Sequence, residues 1–270
     1  MRPKPRGPAA GAVRRTLALH EWGAADGARV VCLHGVTAWG GHFGGLAAAL
    51  GPRRRVLAPD LLGHGGSPFE PPWELDAHLA AVRNAVGDEP AAWIGHSFGA
   101  RLAFELASRR PAAVERLVLL DPALHVLPPV ALFAAENARA DRSYGSFAEA
   151  VERRYGESGL ERAPRALVEE ELRRHLAVDD AGRWRYRYCQ AAVVAAHGLL
   201  AREAPPFASV RVRTLLVLGA ASYLSYDHLL DAHAAALGEL LEVVHVPGGH
   251  TVLWDALAET SAAVARFLDA

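Results

Sequence analysis

The sequence of 270 residues predicts an α/β protein with a doubly wound, mostly parallel sheet and a helical insertion. Short apolar, β-branched runs alternate along the chain with segments of helical periodicity, an order that builds a sheet with helices on both faces. The runs are apolar throughout instead of alternately polar, which suits strands covered on both sides. The alternation is broken once: between about residues 124 and 206 the pattern is helical and no strand candidate occurs.

In chain order, MRPKPRGPAAGAVRR is basic and rich in Pro and Gly and reads as a frayed, solvated tail, without the apolar run of a signal peptide. VRRTLALHEWG then supplies a leading antiparallel strand or hairpin. The core strands are RVVCLHG (29–35), RRVLAPD (54–60), AAWIGHS (91–97), ERLVLLD (115–121), RTLLVLG (213–219) and LEVVHVPGG (241–249). Helices are expected at about 42–50, 74–87, 98–109, 227–237 and 255–268. At the last of them Trp254, Leu257, Val264 and Leu268 can share a face. Within the interruption LPPVALFAAENARA, SFAEAVERRYG, APRALVEEELRRHLA and YRYCQAAVVAAHGLLARE read as four helices, with Pro128–Pro129 and Pro205–Pro206 punctuating the ends. An insertion at a strand end sits over the sheet as a cap. The expected division is a core of residues 1–124 and 206–270 and a cap of residues 125–205.

Composition removes several function classes. A formal net charge of -1 gives no global field to gather polyanions or membranes, and no apolar stretch is long enough to span a bilayer. Cys32 and Cys189 are far apart and in no CxxC spacing, which fits reduced thiols in a cytoplasmic protein and no disulfide or thiolate zinc site. H-E-x-x-H and similar ligand spacings are missing, as are the P-loop lysine and Rossmann glycine spacing, so neither metal nor cofactor is expected. GRWRYRY (182–188) interleaves basic and aromatic residues in a way single-stranded nucleic acid can exploit. As one patch on a near-neutral chain it reads as an exposed edge, and Arg183, Arg185 and Arg187 could instead meet a substrate carboxylate. A small-molecule substrate is expected, with no nucleic-acid or membrane partner; the sequence is silent on oligomeric state.

The chemistry concentrates in Gly95-His96-Ser97-Phe98-Gly99. This G-x-S-x-G lies between a strand and a helix, the context in which its glycines allow a turn tight enough to hold Ser97 strained and exposed as a nucleophile. VVCLHGVTAWGGHF ends a strand with His34-Gly35-Val36, and the backbone N–H groups of Val36 and Phe98 could together form an oxyanion hole. APDLLGHGGSP (58–68) follows the next strand. With these three segments in this order the chain resembles the α/β-hydrolase fold superfamily, and PGGHTVLWD near the C-terminus looks like that family's catalytic-histidine loop. The resemblance spans the whole chain and is specific for fold, but says little about substrate. It implies His250 as the general base, C-terminal to both serine and acid as the family's order requires. His34 and His64 are read as holding loops through hydrogen bonds, and His96 as the variable neighbour of the nucleophile.

The third member of such a triad departs from the pattern. In much of the superfamily the acid lies in a segment resembling G-x-x-S-D after the strand that follows the cap. Here the segment is Gly219-Ala220-Ala221-Ser222-Tyr223, and a neutral phenol cannot fix an imidazolium at neutral pH. Two carboxylates remain as candidates. Asp121 ends the strand before the cap, where some relatives carry their acid, and is preferred. Asp227 is the alternative acid, in the first turn of a helix that Ser225 caps, where a carboxylate also complements the helix dipole.

Trp39, Phe133, Phe147, Trp184 and Tyr223 are candidates for an apolar substrate pocket; packing within the cap would explain the cap aromatics among them equally well. The function expected is a cofactor-independent serine hydrolase, carboxylesterase-like, working through an acyl-enzyme. Two alternatives stand beside it: a hydrolase-fold protein that binds a small molecule with little or no turnover, or a C–C bond hydrolase or perhydrolase of the same fold.

Overall fold

In the computed structural model, which describes residues 16–158, 160 and 162–270, each apolar run becomes a strand. The chain runs through β1 (Leu19–Trp22), β2 (Ala28–Leu33), a 3-10 turn (Gly40–Phe43) opening into α1 (Gly44–Leu50), β3 (Arg54–Pro59), α2 (Leu75–Val86), β4 (Ala91–His96), α3 (Phe98–Arg109) and β5 (Val114–Leu120). The insertion follows as α4 (Pro128–Asn137), β6 (Ser143–Tyr144), α5 (Phe147–Ser158), α6 (Arg165–His175), β7 (Leu176–Val178), β8 (Trp184–Tyr186) and α7 (Gln190–Leu200). The chain then closes with β9 (Thr214–Gly219), α8 (Asp227–Leu237), β10 (Leu241–Val246), α9 (Val252–Asp255) and α10 (Leu257–Asp269). The basic N-terminal tail lies outside the described residues.

The central sheet has seven strands in the order β1-β3-β2-β4-β5-β9-β10. β1 pairs antiparallel with β3 and every other pairing is parallel. Successive side chains point to opposite faces, and both faces are buried. Val31, Leu33, Trp93, Leu117, Leu119, Leu216 and Leu218 feed one apolar cluster, while Val30, Cys32, Ile94, Val118, Leu120, Leu215 and Val217 feed the other. This two-sided burial is why the runs lack polar alternation. The register sets His96 beside Leu120 and Gly219 beside Val246, so the loops after β2, β4, β5, β9 and β10 all leave from one edge. In an open parallel sheet that edge is where ligands bind.

The insertion departs from the all-helical expectation. It contains a small antiparallel sheet, β6-β8-β7, formed where GRWRYRY follows period two: Trp184 and Tyr186 are half-buried and Arg185 between them is exposed. The helix expected over 186–203 accordingly starts at Gln190. Tyr144, Val151, Val168, Leu172 and Leu176 form the insertion's own apolar cluster.

The C-terminal helix also differs, being divided at Ala256 (φ -143°, ψ 43°) into α9 and α10. The break turns Trp254 away from the face it was expected to share, onto the insertion's cluster. Leu257, Val264 and Leu268 stay on the sheet.

Candidate active site

Ser97 sits between β4 and α3 at φ 53°, ψ -114°, a region that costs a non-glycine residue about 1–3 kcal/mol and persists only where neighbours over-determine it. Its N–H donates to Leu120 O (3.1 Å), and its carbonyl accepts from the N–H groups of Ala100 and Ala123 (3.1 and 3.2 Å). The turn needs glycine on both sides. A β carbon on Gly99 would lie 2.0 Å from Leu33 O, and one on Gly95 2.4 Å from Ala100 Cα. Across the turn, a β carbon on Gly35 would come within 3.0 Å of Ser97 Cβ, so the loop after β2 passes directly beside the serine.

That loop is a β-turn from Gly35 to Ala38, closed by the Ala38 N–H donating to Gly35 O (3.2 Å). Thr37, its third residue, has φ 67°, a value that belongs to glycine or asparagine and is an outlier for a β-branched residue. His34 supports the turn from below. Its Nδ1–H donates to Gly35 O (2.8 Å) and its Nε2 accepts from Leu61 N–H (2.8 Å). Those partners demand the neutral ring, and burial, with His64 adding to it, holds His34 well below the usual histidine range. Asp60 anchors the neighbouring loop by accepting from Gly40 N–H (2.7 Å), Gly66 N–H (2.8 Å) and His20 Nε2 (3.0 Å). Burial pushes its carboxyl up, but those donors outweigh burial and keep it below the ordinary value. Phe98 opens α3, so its N–H belongs to the first turn and has no intrahelical acceptor.

Across the edge, His250 Nδ1–H donates to Asp121 Oδ2 at 2.6 Å, leaving Nε2 as the ring nitrogen with a lone pair. Asp121 leaves β5 at φ 38°, and three donors meet its carboxylate: His250, Gly219 N–H on Oδ1 (2.8 Å) and Ser222 Oγ on Oδ2 (2.5 Å). The segment without its expected acid therefore serves the acid on the next strand. Tyr223 is 75% exposed and its ring tilts over His250 with centroids 4.9 Å apart. Asp227 is not brought to this point; it is exposed and pairs with Ser225, which donates Oγ–H to Asp227 Oδ2 (3.0 Å) and accepts the Asp227 N–H (3.3 Å). Ser225 thus takes one N–H of the first turn, although the residue flanking the helix is Tyr226.

Several residues here carry no motif signal. His96, the variable neighbour of the serine, donates Nε2–H to His250 O (2.9 Å), tying the two loops together; burial, followed by His250, keeps its pKa well below 6.5. His42 donates Nδ1–H to Glu171 of α6 (2.9 Å), and Trp254 Nε1–H donates to the same carboxylate. His175 at the end of α6 donates Nε2–H to Thr37 O (2.9 Å). Ser222 has a local signal as the serine of the G-x-x-S-D-like segment, but nothing in that segment announces its bond to Asp121.

The pocket candidates are scattered. Trp39 lies between His20 (4.9 Å) and His175 (5.7 Å). Phe147 packs on Trp184 (5.4 Å) inside the insertion, and Phe133 is 65% exposed on α4. Arg183 and Arg185 are engaged with the insertion's own groups: Arg183 donates to Ser143 O (2.7 Å), and the exposed Arg185 pairs with Asp179 and Asp141. Among the described residues no group of three or more His, Cys, Asp or Glu could hold a metal ion, and no helix is long and apolar enough to cross a membrane.

Comparison with known proteins agrees with this architecture. A family model described as the alpha/beta hydrolase fold matches residues 28–257. Lipase LipV of Mycobacterium tuberculosis is 35% identical over 254 residues, 87% of this chain and 91% of that protein. The pimeloyl-[acyl-carrier protein] methyl ester esterase of Methylococcus capsulatus is 44% identical over 94 residues, 35% of this chain and 37% of that one. The crystal structure of an E-2-(acetamidomethylene)succinate hydrolase superposes with a TM-score of 0.83 at 24% identity, covering 96% of this chain and 97% of the other.

Proposed function

The chain belongs to the α/β-hydrolase fold family, and from that premise we propose that it is a cofactor-independent serine hydrolase of carboxylic esters, acting on small to medium apolar substrates. The observation that supports this reading most is the 2.6 Å contact of Asp121 with His250, made at the sheet edge where Ser97 is held strained. In this reading Ser97 Oγ attacks the acyl carbon while His250 Nε2 takes its proton. The carbonyl electron pair moves onto oxygen and is met by the N–H groups of Val36 and Phe98. Collapse of the tetrahedral adduct expels the alcohol, which leaves with the proton from His250, and the acyl group stays on Ser97. Water then attacks the acyl carbon, giving its proton to His250; collapse breaks the bond to Ser97 Oγ, which takes that proton back, and the acid is released. Asp121 holds the imidazole in the tautomer that accepts at Nε2.

The insertion is the cap of this site in the same reading, with α6 carrying contacts to both loops that border it. Tyr223, whose ring lies 4.9 Å from that of His250, is the pocket candidate in contact with a reacting group. LipV, a lipase by name, and the methyl ester esterase agree with ester chemistry. The cytoplasm remains the proposed location.

A fluorophosphonate probe and a panel of p-nitrophenyl esters test the proposal. The expected result is labelling at Ser97 and turnover that Ser97→Ala abolishes. No labelling, together with no turnover above the Ser97→Ala control, would reject it in favour of a binding protein.

A further inference from the structure

The turn that carries Val36 is strained, and two histidines from distant parts of the chain hold its carbonyls. His34, in the sheet edge beneath it, donates to Gly35 O at 2.8 Å. His175, 138 positions further along and at the end of α6, donates to Thr37 O at 2.9 Å. Thr37 pays for its φ of 67° with a clash that a β-branched side chain relieves by leaving the left-handed region. Leaving it would rotate the peptides on either side of Thr37 and loosen the turn whose first peptide, held by His34 at Gly35 O, carries the Val36 N–H.

His175 is built to prevent that movement. Its side chain is buried, with 3% exposure for the whole residue. Its ring stacks on Trp39 at 5.7 Å and 7° and meets the tilted ring of Tyr186 at 5.4 Å and 51°. Trp39 belongs to the core loop and Tyr186 to the insertion, so the ring is clamped where the two meet. With Nε2 donating to a carbonyl, Nδ1 carries the lone pair and is buried without a partner among the described residues. Burial lowers the pKa to about 4, so the ring stays neutral near pH 7, and the Thr37 carbonyl keeps its proton on Nε2.

We propose that His175 is a positioning residue for the oxyanion turn: through Thr37 O it links the seating of the insertion to the turn that carries the Val36 N–H, so that the hole is fully aligned when the insertion is docked. The inference rests on the serine-hydrolase reading for its catalytic consequence. Its mechanical half, the turn held from the insertion, stands on geometry alone. Removing one oxyanion donor costs about 10²–10³ in kcat, and a donor left in place but misaimed should cost less.

The test compares His175→Phe, which keeps a stacking ring and lacks the donor, with His175→Gln, whose amide can reach the same carbonyl. Hydrogen exchange of peptides covering residues 34–39 reads the turn without needing activity. Steady-state kinetics on a p-nitrophenyl ester, and inhibition by a trifluoromethyl ketone, read the hole. The ketone takes Ser97 Oγ onto its carbonyl carbon, passes the serine proton to His250 and leaves a charged oxygen for the donors. His175→Phe is expected to exchange faster over the turn, to lose about 10–100-fold in kcat with KM within about threefold, and to bind the ketone weaker by the same factor as kcat/KM. His175→Gln should recover a substantial part of each. Unchanged exchange and ketone affinity in His175→Phe, or equal losses in both variants, would overturn the inference. If His175→Phe does not fold, His175→Met replaces it in the same comparison. An inactive, unlabelled wild type would overturn the hydrolase reading instead, and exchange would then decide the mechanical half by itself.

Discussion

Asp121 and His250 meet 129 positions apart in sequence, with Oδ2 of one 2.6 Å from Nδ1 of the other. The contact joins the ends of two strands that are not neighbours in the sheet, since β9 lies between β5 and β10. If it orients the base, Asp121→Asn should lower kcat on an ester by about 10³–10⁴, as loss of a triad acid does. Asp227→Asn should stay within about twofold, because that carboxylate is exposed and engaged with Ser225. Steady-state kinetics of the two variants decides, and the opposite ranking would remove Asp121 from the mechanism.

Tyr223 offers the converse experiment. Its ring is 4.9 Å from that of His250, at the position where many relatives carry their acid. Restoring a carboxylate there in an acid-deficient background, Asp121→Asn with Tyr223→Asp, should return at least about tenfold of the lost kcat, on the scale that a hydrogen bond to a charged group commands. No gain over Asp121→Asn alone would mean that the segment after β9 no longer presents position 223 to the histidine.

The strands and the serine turn were legible because their determinants are local. Apolar runs and the glycines flanking Ser97 can be read in short windows. The insertion's small sheet was missed because the period-two alternation of Trp184, Tyr186 and Tyr188 covers too few residues to define a strand by itself; what selects the strand is pairing with Ser143–Tyr144 and Leu176–Val178, which no local pattern shows. The same holds at the site. His42, His96 and His175 are three of thirteen histidines and acquire meaning only from partners more than a hundred residues away, Glu171, His250 and Thr37.

Glu171 shows what such a partner is worth. It lies on α6 and accepts from two core donors, His42 Nδ1 and Trp254 Nε1. Burial raises its carboxyl, but His42 beside it and those hydrogen bonds bring it below the ordinary value. Removing one member of a buried, hydrogen-bonded set strands the others, so Glu171→Ala should cost about 3 kcal/mol in urea unfolding. Glu170, the preceding residue, pairs with Arg174 in solvent, and Glu170→Ala should cost less than about 0.5 kcal/mol. Equal effects would mean that α6 is not fastened to the core through this carboxylate.

The buried histidines predict an acid limit to stability that carboxylates alone would not produce. Burial lowers His64, His175 and His233 to about 4 and His78 to about 3, from an ordinary value of 6.5. Between roughly pH 6.5 and 4 the unfolded chain binds protons at these sites that the folded protein refuses. Unfolding then takes up protons, so stability is fully present above about pH 6.5 and falls as the pH drops toward 4. Each such histidine contributes about 1.4 kcal/mol per pH unit inside that window. His233 isolates one of them away from the site: it is fully buried, bonded to the Tyr226 hydroxyl at 2.9 Å and stacked on Phe207. Urea unfolding of wild type and His233→Gln at several pH values from 7.5 to 4.5 should give two lines that converge in acid. The variant is the less stable at neutral pH and its slope is shallower by about one proton. Parallel lines would show that His233 takes up its proton in the folded protein as readily as in the unfolded chain.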